Sequence, residues 1–168
     1  LNAVDGNIDQ ANALIESAMA NKHTVSNPDT WYTAGKIQEK IYNKENEKMY
    51  LQQAYDQAKF FGSLSKMFDY FLTCDSLEQI PDAKGKVVAK YRPEMTDLLS
   101  RIRINLVSGG VTYFNENNNE KAFELFSKYI DVADAPMFAA LNYAETDSLM
   151  HEIAYYATLA GLKMEDYH

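Results

Sequence analysis

A single cysteine, Cys74, stands in the 168 residues. The chain therefore forms no internal disulfide and has no set of cysteines for a zinc site. Cys74 closes the apolar run KMFDYFLTC and reads as a small buried hydrophobe. Such sparing use of cysteine fits a cytoplasmic or a periplasmic setting. Proline is scarce, at four residues, and glycine at seven. An all-β chain spends more of both on its turns. Positive charge is also short: 16 Lys and Arg face 24 Asp and Glu, for a net charge of -8. Sequence-independent binding of DNA or RNA rests on cationic neutralisation of phosphates, so no nucleic-acid partner is expected. The local basic run Lys84, Lys86, Lys90, Arg92, Arg101 and Arg103 reads as a solvated face. No apolar run reaches the ~18–20 residues of a spanning helix. The chain opens at Leu1 rather than a methionine, and the expectation is a processed or excised piece of a longer parent.

What the chain does have is apolar spacing of helical period almost throughout. Hydrophobic residues make up 46% and charged residues 24%, the balance of a folded domain. Twelve Tyr, eight Phe and one Trp argue against disorder. Stripes run through Ile8, Ala11, Leu14, Ile15 and Ala18; through Trp31, Ala34, Ile41 and Tyr42; and through Leu51, Ala54, Tyr55, Ala58 and Phe61. Gly62 then reads as a break before Leu64, Met67, Phe68, Phe71 and Leu72. A long fifth stripe runs from Met95 to Tyr113, a sixth from Ala122 to Ile130 and a seventh from Leu149 to Ala160. Asn27 with Pro28 behind it reads as a helix start. The weakly periodic stretches 75–93 and 131–146 read as irregular connections, with short helical turns near Ser76–Ile80 and Met137–Tyr143. The prediction is an all-α chain of about 7–8 helices, with no sheet.

Glycine inside such stripes needs a reason, because each one costs roughly 0.5–1 kcal/mol relative to alanine in a helix interior. Three small-Gly pairs occur, in WYTAG (31–35), LVSGG (106–110) and ATLAG (157–161), each with an apolar residue three positions ahead. Bare backbone lets a second helix approach. For Gly109 and Gly110 the expected facing spot is Ala122, with Leu106, Tyr113, Phe126 and Tyr129 interdigitating around it. Burying such side chains contributes roughly 1.5–3 kcal/mol each and outweighs two glycines.

Leu106, Gly109, Gly110, Tyr113, Ala122 and Phe126, in residues 103–136, resemble the tetratricopeptide (TPR) repeat, which pairs two antiparallel helices in about 34 residues. Two departures stand out: Tyr129 where that family has a small residue, and Pro136 two residues late. Residues 28–64 match more loosely, through Trp31, Ala34, Gly35, Tyr55 and Ala58, with Leu51 in place of Ala. Residues 6–20 resemble a second helix alone, and 157–167 a first helix alone. The likeness covers about 110 residues. It implies antiparallel hairpins stacked as a right-handed TPR-like α-solenoid, a single domain over 1–168 and a segment of a longer array. The style, with long connections and many aromatics, resembles repeat proteins of bacterial cell envelopes; a periplasmic or envelope setting follows from that likeness, with the cytoplasm as alternative.

Catalytic patterns are missing. HEIAY begins like a zincin helix, but Tyr155 stands where the second histidine belongs. DAKGKV lacks the Ser/Thr and the upstream Gly of a phosphate loop, and NENNNE lacks the alternating ligands of a calcium loop. No catalytic residue, metal or cofactor is expected, and the chain reads as a non-catalytic scaffold for a protein or peptide partner. In the resembled family first helices line the inner face, which makes Tyr32, Lys36, Glu39, Lys40, Val111 and Asn115 the candidate partner-binding groove. The alternative is a carbohydrate-binding accessory protein of the envelope.

Overall fold

The computed structural model describes residues 7–165; Gly6, Asp166, Tyr167 and His168, which the sequence-based helices included or flanked, lie outside them. Every element of the described residues is helical. In order they are α1 (Ile8–Ala20), α2 (Pro28–Tyr50), α3 (Gln57–Glu78), α4 (Arg92–Ile102), α5 (Ile104–Asn115), α6 (Asn119–Asp131), two 3-10 turns (Val132–Asp134 and Pro136–Leu141), α7 (Tyr143–Thr146) and α8 (Met150–Glu165). The chain divides into two compact units, with the boundary between Met95 and Thr96.

The first unit is built on α2. Asn27 caps it, accepting from the Asp29 N–H at 3.0 Å, and Pro28 occupies the first turn, where its missing N–H costs nothing. One face of α2 receives α1: Ala11 and Ile15 pack with Ala34 and Ile37. Another receives α3. Leu51–Asp56, expected within a helix, is instead the turn between them. Gln52 takes a left-handed φ of 55° there, and the Gln53 N–H reaches back to the Lys48 carbonyl at 2.9 Å, which satisfies an end carbonyl of α2. Glu45 (4% exposed) ties the turn down, accepting from Lys48 Nζ at 2.7 Å and the Asp56 N–H at 2.8 Å. Nor does Gly62 break anything: α3 runs straight through it. Its buried face carries Phe60, Leu64, Met67, Phe68 and Phe71.

In the second unit α5 packs on α6, and α6 on α8. The α5–α6 turn is shorter, residues 116–118. Asn117 has the left-handed φ of 59°, the Asn118 N–H reaches the Tyr113 carbonyl at 2.9 Å, and the Asn118 side chain caps α6.

The glycines in both units seat rings rather than bare backbone. Gly35 and Gly110 are buried, and a methyl on either would overlap the ring of Phe71 or Phe126 respectively. Ala122 is fully buried, but the group against Gly110 is the Phe126 ring and not the expected Ala122. The looser match through Tyr55 and Ala58 also gives way, since Tyr55 lies in the turn and Phe71 faces Gly35. Gly161 has no such seat; a methyl there would stand 3.4 Å from Phe123, ordinary contact.

Arg103, expected on a solvated face, is 3% exposed at the junction of α4 and α5. Its guanidinium donates twice to the Tyr129 carbonyl (3.1 and 2.7 Å) and once to Asp147 Oδ2 (2.5 Å). It lies 3.7 Å from the Tyr129 ring centre and 4.1 Å from that of Tyr143. The Tyr129 hydroxyl donates to the same Asp147 oxygen at 2.6 Å. This explains the large residue at 129: its ring supports a buried cation that fastens the end of α6 to the following connection. Arg92 is also engaged, bidentate to the buried Asp75 at 2.6 and 2.9 Å.

Candidate functional site

Positions 32, 36, 39 and 40 share one side of α2 by helical spacing. Two of them, Tyr32 and Lys36, meet the start of α4. The Tyr32 hydroxyl donates to Glu94 Oε2 at 2.8 Å, and Lys36 Nζ donates to Glu94 Oε1 at 3.1 Å while pairing with Glu39. The Tyr32 ring stacks on Tyr91, with centroids 3.8 Å apart and planes at 11°. Tyr91 extends the cluster: its hydroxyl lies 2.6 Å from Asp29 Oδ1, to which it donates, and 2.6 Å from Lys90 Nζ, from which it accepts. Its backbone N–H is held by both oxygens of the buried Glu78, at 3.0 and 3.1 Å.

The electrostatics follow from these contacts. Burial, then the Glu94 hydrogen bond, push the Tyr32 phenol well above its ordinary value. The Tyr32 hydrogen bond and, against burial, the Lys36 contacts hold Glu94 below the usual carboxylate range. Burial works to lower the Lys36 ammonium, but Glu39 and Glu94 outweigh it and leave it raised. The cluster is therefore a phenol, a cation and two carboxylates that satisfy one another. It fixes the start of α4 on α2 and offers a half-exposed aromatic surface rather than a free acid, base or nucleophile. Lys40, one turn beyond Lys36, is half-buried and has a partner of its own. Val111 and Asn115 lie in the second unit, exposed and one turn apart on α5. Sequence reasoning missed Tyr91, Glu94 and Asp29. Tyr32 and Glu94 are 62 residues apart, and no local pattern signals a contact at that separation.

A different feature of the first unit is concave. The first turn of α1, the second half of α2 and the first half of α3 enclose an open cleft of about 690 Å³. Its base includes the buried Gln38, whose Nε2 donates to Asn12 Oδ1 at 2.7 Å. Lys44, Lys59, Gly62 and Lys66 line it as well.

Cys74 is fully buried, and burial, followed by the nearby acidic charges of Glu78 and Asp75, pushes its thiol up to about 12. A thiol so raised stays protonated and unreactive at neutral pH. Among the described residues no group of three or more His, Cys, Asp and Glu could hold a metal ion, and no helix is long and apolar enough to cross a membrane. Compared with known proteins, the chain matches no family model, no curated protein and no solved structure.

Proposed function

We propose that this chain is a non-catalytic interaction module, made of helix hairpins of the tetratricopeptide type arranged as a right-handed solenoid, that holds a protein or peptide partner. The observation that carries the reading is the repeated seat: in each unit a glycine of one helix receives a phenylalanine ring from the helix after the turn. Repetition of one packing device in successive hairpins is how repeat scaffolds build extended surface for partners. Tyr32, Lys36, Glu39 and Lys40 on α2 are the proposed binding face of the first unit, and Val111 and Asn115 on α5 that of the second.

The carbohydrate alternative has less behind it, because many tyrosines are spent internally. Tyr42 stacks on Phe60, Tyr32 on Tyr91, and Tyr129 carries Arg103. A screen of the chain against an immobilised peptide library, with a panel of soluble glycans in parallel by thermal shift, separates the readings. The proposal predicts peptide binding of micromolar strength or better, about -8 kcal/mol. It also predicts that Lys36→Ala with Val111→Ala weakens that binding. A glycan that raises the melting temperature, with no peptide bound, would overturn it.

A further inference from the structure

The connection between α3 and α4, residues 79–91, is hydrogen-bonded and exposed at once. Its middle is a closed turn. The Asp82 N–H donates to the Lys86 carbonyl at 2.9 Å, and the Gly85 N–H donates to the Asp82 carbonyl at 2.8 Å. Asp82 Oδ1 accepts from the Lys84 and Lys86 N–H groups at 2.8 and 2.9 Å. Gly85 supplies the left-handed φ of 76° that closes the turn. The far end is pinned by Glu78 at the Tyr91 N–H and by Asp75 at Arg92. Yet every residue from Ile80 to Val88 is exposed, so this turn stands off the body of the first unit.

Three of its side chains are aliphatic and uncovered: Ile80, Val87 and Val88 are 62%, 43% and 53% exposed. The Asp82–Lys86 pairing brings the two legs of the turn together, with Ile80 on one and both valines on the other. One exposed apolar residue needs no reason, but three on a turn that adds nothing to the core mark a contact surface. Cations stand among them. Lys84 and Lys86 are exposed, and their ammonium groups have no ion pair or hydrogen bond among the described residues. The neighbouring acids are committed: Asp82 closes the turn, Glu78 and Asp75 hold Tyr91 and Arg92, and Asp29 accepts from Tyr91 and lies 3.7 Å from Lys90. Within 79–91 three lysines face one aspartate.

A protein contact draws most of its strength from aromatic or arginine anchors seated in pockets. Residues 80–90 contain neither, and they project outward. An anionic bilayer makes different demands. Lysines on long stems reach scattered phosphates without fixed geometry, while short aliphatic side chains enter the boundary of the acyl chains. The net charge of -8 opposes such a surface only at long range, because physiological salt screens beyond about 8 Å.

We infer that the 79–91 connection is a membrane-surface contact, in which Ile80, Val87 and Val88 enter the interface of an anionic bilayer while Lys84 and Lys86 pair with its lipid phosphates. The contact uses none of the residues of the proposed binding faces, so the two readings stand or fall separately.

The test mixes the whole chain with vesicles of phosphatidylcholine containing about one third phosphatidylglycerol, and with phosphatidylcholine alone, and reads co-sedimentation. Binding to the anionic vesicles only is expected, falling about tenfold or more for Lys84→Glu with Lys86→Glu. Ile80→Ser with Val87→Ser and Val88→Ser should weaken it as well. Both variants alter only exposed side chains and should melt with the parent chain. Lys44→Glu with Lys66→Glu, exposed lysines of α2 and α3, should leave binding unchanged. In a second measurement Val88→Cys carries an environment-sensitive dye, which the fully buried Cys74 does not take up. Its emission should shift to the blue on anionic vesicles, and the same dye at Lys44→Cys should not shift. No binding to anionic vesicles, equal binding to phosphatidylcholine alone, equal loss in the Lys44 and Lys66 control, or an unshifted dye at 88 would each overturn the assignment. So would full displacement of the vesicles by a soluble hexaglutamate peptide, which would make the turn a docking site for an acidic protein segment instead.

Discussion

The α2–α3 and α5–α6 hairpins seat a phenylalanine on a glycine in the same manner, yet they are spaced differently along the chain. Phe126 follows Gly110 by 16 residues, whereas Phe71 follows Gly35 by 36. The second hairpin is compact: helices of 12 and 13 residues joined by residues 116–118. The first is stretched: helices of 23 and 22 residues joined by residues 51–56. Two antiparallel helices that both lengthen at the turn keep the same crossing, while the sequence distance between facing residues grows by the added length on each. The turns also solve one problem twice. Each ends its first helix on a left-handed residue, Gln52 or Asn117, and begins the next with a capping Asp56 or Asn118. Hairpin chemistry is thus held constant while hairpin length is free to vary. The two units then differ in their buried charges, with a bidentate Arg92–Asp75 pair in the first and the deeper Arg103 node in the second.

The largest expected effect breaks the second hairpin at that node. Arg103→Ala takes the cation from the Asp147 carboxylate and both donors from the Tyr129 carbonyl, and should cost about 3–5 kcal/mol in urea unfolding. A loss below about 1 kcal/mol would mean that Arg103 is a bystander. Next come the seats. Gly35→Leu and Gly110→Leu should each destabilise by on the order of 1–3 kcal/mol or more through overpacking, against leucine's better helix propensity. Similar losses at the two sites would show that one device serves both spacings.

This comparison also locates what the sequence could tell. The all-helical class was legible from period alone, and the cap at Asn27 from its residue type. The second hairpin was read through the resembled spacing, which set Ala122 against Gly110 where the structure has the Phe126 ring. The first was misassigned for the same reason: with helices nearly twice as long, the ring facing Gly35 comes from Phe71, and Tyr55, at the nearer spacing, falls in the turn. Tyr32, Lys36 and Glu39 share one cluster on α2, but their partners Tyr91 and Glu94 arrive through a connection that has no periodicity. The burial of Arg103 was hidden because an arginine on an otherwise apolar stripe reads as solvent-facing until Asp147 is placed beside it.

Acid tests the Arg103 node of the second unit. Asp147 is held below the ordinary carboxylate range: burial works against this, but Tyr129, Arg103 and the Leu149 N–H outweigh it. A carboxyl lowered in the folded chain adds stability that is complete above its unfolded value, about 3.9, and is lost as pH falls through the lower folded value. Asp147→Asn should therefore flatten the acid limb of a stability–pH curve below about pH 4. An unchanged acid limb would remove Asp147 from the node's energetics. The smallest effect is opposite in sign. Gly62→Ala, with open space beside it, should raise stability by about 0.5–1 kcal/mol, and a drop in the melting temperature would show that something packs there after all.

The most direct measurement is a double-mutant cycle at Gly110 and Phe126, read by urea unfolding. If a ring seated on bare backbone holds the hairpin, Gly110→Ala destabilises the parent chain and becomes neutral or stabilising once Phe126→Leu has removed the ring, with a coupling of about 1 kcal/mol or more. An alanine at 110 that stabilises equally in both backgrounds, as expected at 62, would contradict the account.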